Sequence, residues 1–260
     1  MVKILDCTTR DGGHKTKWNF NEDFVFSLME CLNNSNISYY EIGYRNHYDN
    51  EGKGIFYNCN PEFLEKFYKA KGNLELGVMT DTSRYLAEDF QGKDKDNIDF
   101  VRIACHPDRI RETLEISKDL HNKGYKVLLQ LMEAPNIDEA GYLSLFEFDN
   151  KDIFETVYLA DSYSTMHPNE IENYFNKMEM LGYKKISFHA HNKIQLALKN
   201  TLKAIEHGAY SVDVTLDGIG RDGNLDAVKL LDNLKNYLTG FYKQLHNLCL
   251  LYTSDAADDR

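Results

Sequence analysis

Val2-Lys3-Ile4-Leu5-Asp6-Cys7-Thr8-Thr9-Arg10-Asp11-Gly12-Gly13-His14 runs from a short strand-like segment straight into a dense set of charged, hydroxyl and imidazole groups. A strand that ends in chemistry is the signature of a parallel α/β fold, where C-terminal strand ends converge on one mouth. Further strand candidates follow at 38–43, 74–79, 98–104, 126–132, 156–160, 185–189 and 211–216. Between them lie segments such as 21–31, 61–70, 108–122, 168–181 and 194–207. Their apolar residues recur at three and four positions, as in helices packed on a sheet. Eight strand–helix units in 260 residues fit a single (β/α)₈ TIM barrel, typically about 250 residues long. An open doubly wound sheet is the competitor. Polar strand ends distributed around the whole chain favour closure. The charged stretch 88–97 reads as a solvated loop before the fourth strand.

Composition narrows the function. Hydrophobic residues make up 42% and charged residues 27%, within the range of globular proteins. A formal net charge of −11 argues against nucleic acid or an anionic membrane as partner. It leaves room for small anions at a local positive site. No apolar run approaches the roughly 20 residues of a membrane span, and no signal peptide precedes the first strand. Five cysteines, none in a C-x-x-C pair, fit a reduced, cytoplasmic setting better than a disulfide framework. Residues 249–260, from Cys249-Leu250-Leu251-Tyr252 onward, read as translated sequencing adapter. They are set aside as a non-native tail, with 1–248 as the catalytic domain. The natural chain is expected to continue, and an additional C-terminal domain or a homo-oligomer is compatible with what remains.

Phe188-His189-Ala190-His191-Asn192 carries the strongest local signal. Residues two apart on a strand share a face, so both imidazoles can reach one ion at the barrel mouth. Barrel closure would bring Asp11 beside them. Two histidines and a carboxylate with open positions suit a catalytic divalent metal. Arg10, next to Asp11, suits stabilisation of an enolate oxygen; its structural alternative is an ion pair with Glu41 or Asp161. His14, following through a Gly-Gly turn, is a candidate general base, or else a surface histidine. His106 is a candidate substrate binder or acid–base group, or else a solvated residue. Gly218-x-Gly220-x-x-Gly223 has dinucleotide-fingerprint spacing but follows the last strand, with no further strand to bind a ribose. It reads instead as an anion-binding loop, with Asn224 near the metal. Glu41, Arg102, His106, Asp161, Gly220, Gly223 and Asn224 form the candidate metal shell and substrate surface. The sixth strand, Val157-Tyr158-Leu159-Ala160-Asp161, offers no lysine for a Schiff base.

Asp6-x-Thr8-x-Arg10-Asp11-Gly12, Phe188-His189-Ala190-His191-Asn192 and Gly218-x-Gly220-x-x-Gly223-Asn224, in that order, resemble the signatures of the HMG-CoA lyase-like superfamily. Gly13-His14 and Arg102-Ile103-Ala104-Cys105-His106 look like its 4-hydroxy-2-oxovalerate aldolase branch. The resemblance spans residues 3–234. It implies a TIM barrel and a divalent metal on Asp11, His189 and His191, Mn²⁺ first, with Mg²⁺, Co²⁺ or Zn²⁺ as alternatives. It further implies that Arg10 stabilises the enolate and His14 acts as base. Thr9 departs from the leucine common at its position, Arg221-Asp222 is a charged departure, and the aldolases' C-terminal tyrosine has no counterpart that can be placed. The expectation is a metal-dependent aldolase or lyase that works on a 2-oxo acid and an aldehyde through a pyruvate-type enolate. The alternatives are an acyl-CoA-dependent Claisen condensing enzyme of the isopropylmalate or homocitrate synthase kind, and a non-catalytic barrel within a longer protein.

Overall fold

The computed structural model describes residues 2–47 and 52–234; the tail at 249–260, with Cys249, lies outside the described residues. Eight parallel strands close into a barrel in sequence order: β1 (Lys3–Asp6), β2 (Tyr39–Tyr44), β3 (Glu75–Asp81), β4 (Phe100–Cys105), β5 (Lys126–Leu131), β6 (Phe154–Asp161), β7 (Ile186–Ala190) and β8 (Ser211–Val214). Closure is made by β1 on β8, with Lys3 opposite Ser211 and Asp6 opposite Val214. The helices are α1 (Thr8–Thr16), α2 (Glu22–Asn34), α3 (Pro61–Ala70), α4 (Ile110–Asn122), α5 (Glu139–Glu147), α6 (Pro168–Met180), α7 (Ala197–Glu206) and α8 (Ala227–Leu231).

Side-chain alternation along each strand divides the core in two. Ile4, Tyr40, Ile42, Val101, Ile103, Val127, Leu129, Val157, Leu159 and Val212 belong to the large cluster between sheet and helices. Leu5, Cys7, Tyr39, Phe100, Leu128 and Tyr158, one residue out of step with these, form a separate cluster filling the barrel. Further along the same inward face the apolar filling gives way to Glu41, Arg102, His189 and Asp213, all buried. The barrel thus has an apolar floor and a charged upper layer beneath its mouth.

Two local expectations change. Gly12-Gly13 is no turn: both residues lie inside α1. The helix survives two glycines, each costing about 1 kcal/mol relative to alanine, because tertiary bonds hold it. The Thr9 hydroxyl donates to the Ile42 carbonyl at 2.7 Å, and the Trp18 indole donates to the Arg10 carbonyl at 2.9 Å. Gly13 is required there, since a Cβ would sit 2.1 Å from the Trp18 ring. The stretch 88–97 is not simply solvated either. Phe90 and Asp96 are buried, and Asp96 pairs with the buried Arg45 through both guanidinium Nη atoms. A carboxylate in a charged run was needed to neutralise an arginine 51 residues earlier. Cys7, Cys31, Cys59 and Cys105 are buried free thiols. Among the described residues, no helix is long and apolar enough to cross a membrane.

Candidate active site

α1 leaves β1 at the barrel mouth and carries Arg10, Asp11 and, one turn on, His14. Asp11, His189 and His191 come together with one ligand atom each, all within 4.8 Å of one another. The Nε2 atoms of the two histidines face each other at 3.4 Å. Each ring has its other nitrogen against an acceptor: His189 Nδ1 lies 2.8 Å from Asp213 Oδ2, and His191 Nδ1 lies 2.7 Å from the Arg221 carbonyl. Both Nδ1 atoms therefore carry the proton, which leaves both Nε2 lone pairs free to share one ion. Burial pushes the His191 pKa down to about 4, so this ring is neutral at pH 7, as a metal ligand must be. Burial alone would raise the Asp11 pKa, but the Arg10 guanidinium and the two imidazoles hold it well below the usual carboxylate range.

Beneath these residues runs a continuous chain of charge. Arg10 Nε donates to Glu41 Oε2 at 2.5 Å and Nη1 to Asp11 Oδ1 at 2.8 Å. Arg102, fully buried, donates twice to Glu41, at 2.7 and 2.6 Å, and once to Asp213, at 2.5 Å. Two guanidinium groups face three carboxylates, so the imidazoles apart, the layer carries one more negative than positive charge. Burying such a charge is unfavourable unless a cation joins it. The orphaned Asn224 Oδ1, an acceptor buried without a partner, agrees, while the orphaned Arg10 Nη2 is a donor left for an anionic oxygen. The amide nitrogen of Asn224 donates to Asp11 Oδ2. The donor set of one carboxylate, two imidazole nitrogens and a spare amide oxygen therefore fits a divalent metal.

The structure places the other expected residues unevenly. Glu41 and Arg102 lie in the buried layer, where Glu41 accepts from both Arg10 and Arg102, so the ion pair of Arg10 with Glu41 exists alongside its contact with Asp11. Asp161 instead turns back on its own loop and accepts the Thr165 and Met166 amides. His106 is half exposed, 4.0 Å from Glu133, and makes no contact with the metal set. Asp213 was missed. Its sequence signal is a lone carboxylate in the middle of Ser211-Val212-Asp213-Val214, with strand periodicity that turns it inward.

The loop after β8 covers the site. The Gly223 carbonyl lies 3.2 Å from His191 Nδ1. Gly220 has φ +154°, and a Cβ there would meet Asn224 Nδ2 at 2.0 Å and Asp11 Oδ2 at 2.5 Å. Gly220→Ala should therefore push Asn224 off Asp11. Mn²⁺ affinity by calorimetry is expected to fall about 10- to 100-fold, the usual effect of disturbing groups that orient a metal ligand. Unchanged affinity would dissociate this loop from the metal.

A match to the HMGL-like family model covers residues 69–253, more than half of the chain. The chain belongs to the HMGL-like family. Curated relatives include a 4-hydroxy-2-oxovalerate aldolase of Carboxydothermus hydrogenoformans, 28% identical, covering 88% of this chain and 69% of the relative. An oxaloacetate decarboxylase of Mycobacterium tuberculosis is 26% identical over 84% of this chain and 65% of its own length. The chain thus spans about two thirds of these proteins. Among solved structures, the N-terminal domain of a putative aldolase from Bacteroides vulgatus superposes with TM-score 0.84 at 26% identity, covering 97% of this chain and 88% of that one. The Bacillus subtilis HMG-CoA lyase shares the fold, with TM-score 0.69 at 16% identity, covering 95% of this chain and 92% of that one.

Proposed function

We propose that this HMGL-like protein is a divalent-metal-dependent carbon–carbon lyase of the aldolase type, acting on a 2-oxo acid through a pyruvate-type enolate. The observation that carries the reading is the convergence of the Asp11, His189 and His191 ligand atoms within 4.8 Å beside the orphaned Arg10 Nη2. Asp11, His189 and His191 would hold the ion, with Asn224 Oδ1 as a further oxygen donor; Mn²⁺ is the first choice, and Mg²⁺, Co²⁺ and Zn²⁺ suit the same donors. A bound divalent ion supplies Lewis-acid polarisation of the substrate oxygens.

The chain's own groups do the rest. Arg10 Nη2 donates to the oxygen that turns from ketone to enolate as the carbon–carbon bond breaks. It is aimed beforehand, because Glu41 and Asp11 hold the other two nitrogens, so little reorganisation is needed. His14 stands one helical turn beyond Asp11, its Nε2 3.8 Å from Asp11 Oδ1, with its ring against Trp18 and Tyr44. Burial pushes its pKa down to about 4, so it is neutral at pH 7 and free to take the substrate hydroxyl proton. Its conjugate acid returns that proton in the condensation direction.

The names of the relatives support this class, since aldol cleavage of a 4-hydroxy-2-oxo acid and decarboxylation of oxaloacetate both leave a pyruvate-type enolate. Decarboxylation is the second reading, favoured by the oxaloacetate decarboxylase match. The two differ at His14, because decarboxylation needs no hydroxyl proton removed. The test is exchange of pyruvate methyl protons with D₂O, followed by NMR after EDTA treatment and again with Mn²⁺ added. Metal-dependent exchange is expected, and its absence with Mn²⁺ demonstrably bound would sink the proposal. His14→Gln should slow cleavage of a 4-hydroxy-2-oxo acid about 10²- to 10⁴-fold. A loss of that size in aldol cleavage, with no matching loss for oxaloacetate, selects the aldolase reading; oxaloacetate turnover in a protein that leaves the hydroxy acid intact selects the other.

A further inference from the structure

An acidic chain places three cations around His14. Arg84 follows β3, Arg221 lies in the loop after β8, and Lys53 precedes a 3₁₀ turn at Ile55–Tyr57. All three stand on connections at the C-terminal ends of strands, the mouth side of the barrel. Arg84 and Lys53 are tied to His14 by a wall of rings. The Arg84 guanidinium lies 4.8 Å over Tyr44, and Tyr44 stands edge-on to His14 at 6.4 Å. Lys53 sits 3.6 Å over Tyr57, Tyr57 packs on Trp18 at 4.8 Å, and Trp18 meets His14 at 4.9 Å. Arg221 is anchored from the other side, where its carbonyl accepts His191 Nδ1 at 2.7 Å. His14 Nε2 in turn lies 3.8 Å from Asp11 Oδ1, in the cluster that includes His191, so the Arg221 backbone and His14 border the same site, and both arginines act electrostatically on His14.

These cations exceed the local demand for neutralisation. Asp81 takes Nη1 of Arg84 and the neutral Tyr57 hydroxyl also bonds this guanidinium, while Arg221 makes no ion pair among the described residues. The proposed chemistry at Asp11, His189, His191 and Arg10 already accounts for one 2-oxo acid. A second positive pole beside the acid–base histidine lies where the other reactant must sit. We infer that Arg84 and Arg221 form an anion-binding subsite for the aldehyde, which would therefore carry a carboxylate or phosphate at its far end. Guanidinium forks match both anions, and Tyr44 and Trp18 would flank the intervening carbons. This inference rests on the aldolase reading. In the condensation direction, C3 of the enolate bonds to the aldehyde carbon, and the aldehyde oxygen becomes a hydroxyl by taking the proton from His14. No other reactant is required.

The test uses the full chain with Mn²⁺ and pyruvate as donor. Three acceptors are compared: propanal (neutral), succinic semialdehyde (carboxylate) and glyceraldehyde 3-phosphate (phosphate). At least one anionic aldehyde should exceed propanal in kcat/KM by about tenfold or more. Arg84→Met or Arg221→Met should lower that preference about 10- to 100-fold, the range for losing a charge-assisted hydrogen bond. The favoured aldehyde identifies the anion. A preference near one in the wild type, or variants that slow all three acceptors in proportion, would overturn the subsite. If pyruvate exchange and condensation both fail, the aldolase reading falls, and the subsite is judged by binding alone. Trp18, the single tryptophan, packs in the ring wall, so its fluorescence reports occupancy. Inorganic phosphate or succinate titrated into EDTA-treated protein should change it saturably in the wild type and not in the Arg84→Met/Arg221→Met double variant. No saturable change in the wild type would refute the subsite.

Discussion

Asp11→Asn is expected to abolish metal-dependent exchange of pyruvate protons and to weaken Mn²⁺ binding by at least about 100-fold. The substitution is nearly isosteric, so the shape of the site survives and the loss is one of charge. Asp11 supplies one of the three carboxylates of the charged layer, with Glu41 and Asp213, and the negative charge that leaves the layer attractive to a cation. As an amide, it would leave two guanidinium groups against two carboxylates and no net charge to draw an ion in. Disturbing a group that merely orients a metal ligand costs about 10- to 100-fold, so removing a ligand and its charge together should exceed that. His189→Ala should match the loss. Asp213→Asn should be milder and fall in that 10- to 100-fold range, because Asp213 touches His189 only through Nδ1. Calorimetric Mn²⁺ titration of the three variants is the check. Wild-type affinity in Asp11→Asn would remove this residue from the ligand set.

Arg10→Lys separates charge from geometry. Lysine keeps the positive charge but cannot bond Glu41 and Asp11 while presenting a third donor to substrate. Exchange of pyruvate protons should fall by about 10² to 10³, the usual effect of removing one preorganised donor to a developing oxyanion. Mn²⁺ affinity should change far less, since lysine still balances the layer. Glu41 keeps both hydrogen bonds from Arg102, so it is not stranded. Thermal unfolding should accordingly show a smaller shift than Glu41→Ala, which strips two buried guanidinium groups of their shared partner. Exchange within a few-fold of wild type would mean that Arg10 serves structure alone.

Most of the framework was legible in the sequence. All eight strands lie within two residues of the runs read from their composition, because a buried parallel strand needs β-branched and aromatic residues whatever its neighbours. Helices 61–70 and 168–181 were similarly plain, each opened by proline at its first turn. The clustering of Asp11, His189 and His191 was legible as well, since His189-x-His191 shares a strand face by local geometry alone. α1 was not. Thr8–Thr16, with adjacent glycines, has poor intrinsic helix propensity. Its helicity depends on bonds to Ile42 in β2, to Trp18, and from the Leu216 amide to the Thr8 hydroxyl at 2.9 Å.

The sequence by itself determined the barrel, the family signatures and the identity of Arg10, Asp11, His14, His189 and His191 as chemical candidates, because periodicity and residue type are local properties. Only the tertiary structure decided that Arg10, Glu41, Arg102, Asp213 and His189 form one buried chain of charge. It also separated His106 and Asp161 from that chain, and brought Arg84, through Tyr44, to the neighbourhood of His14. Those outcomes depend on barrel closure between β1 and β8, which brings residues some 200 positions apart, such as Leu5 and Asp213, into register. The energy of a buried charge is set by partners so distant in the chain that no local pattern records them.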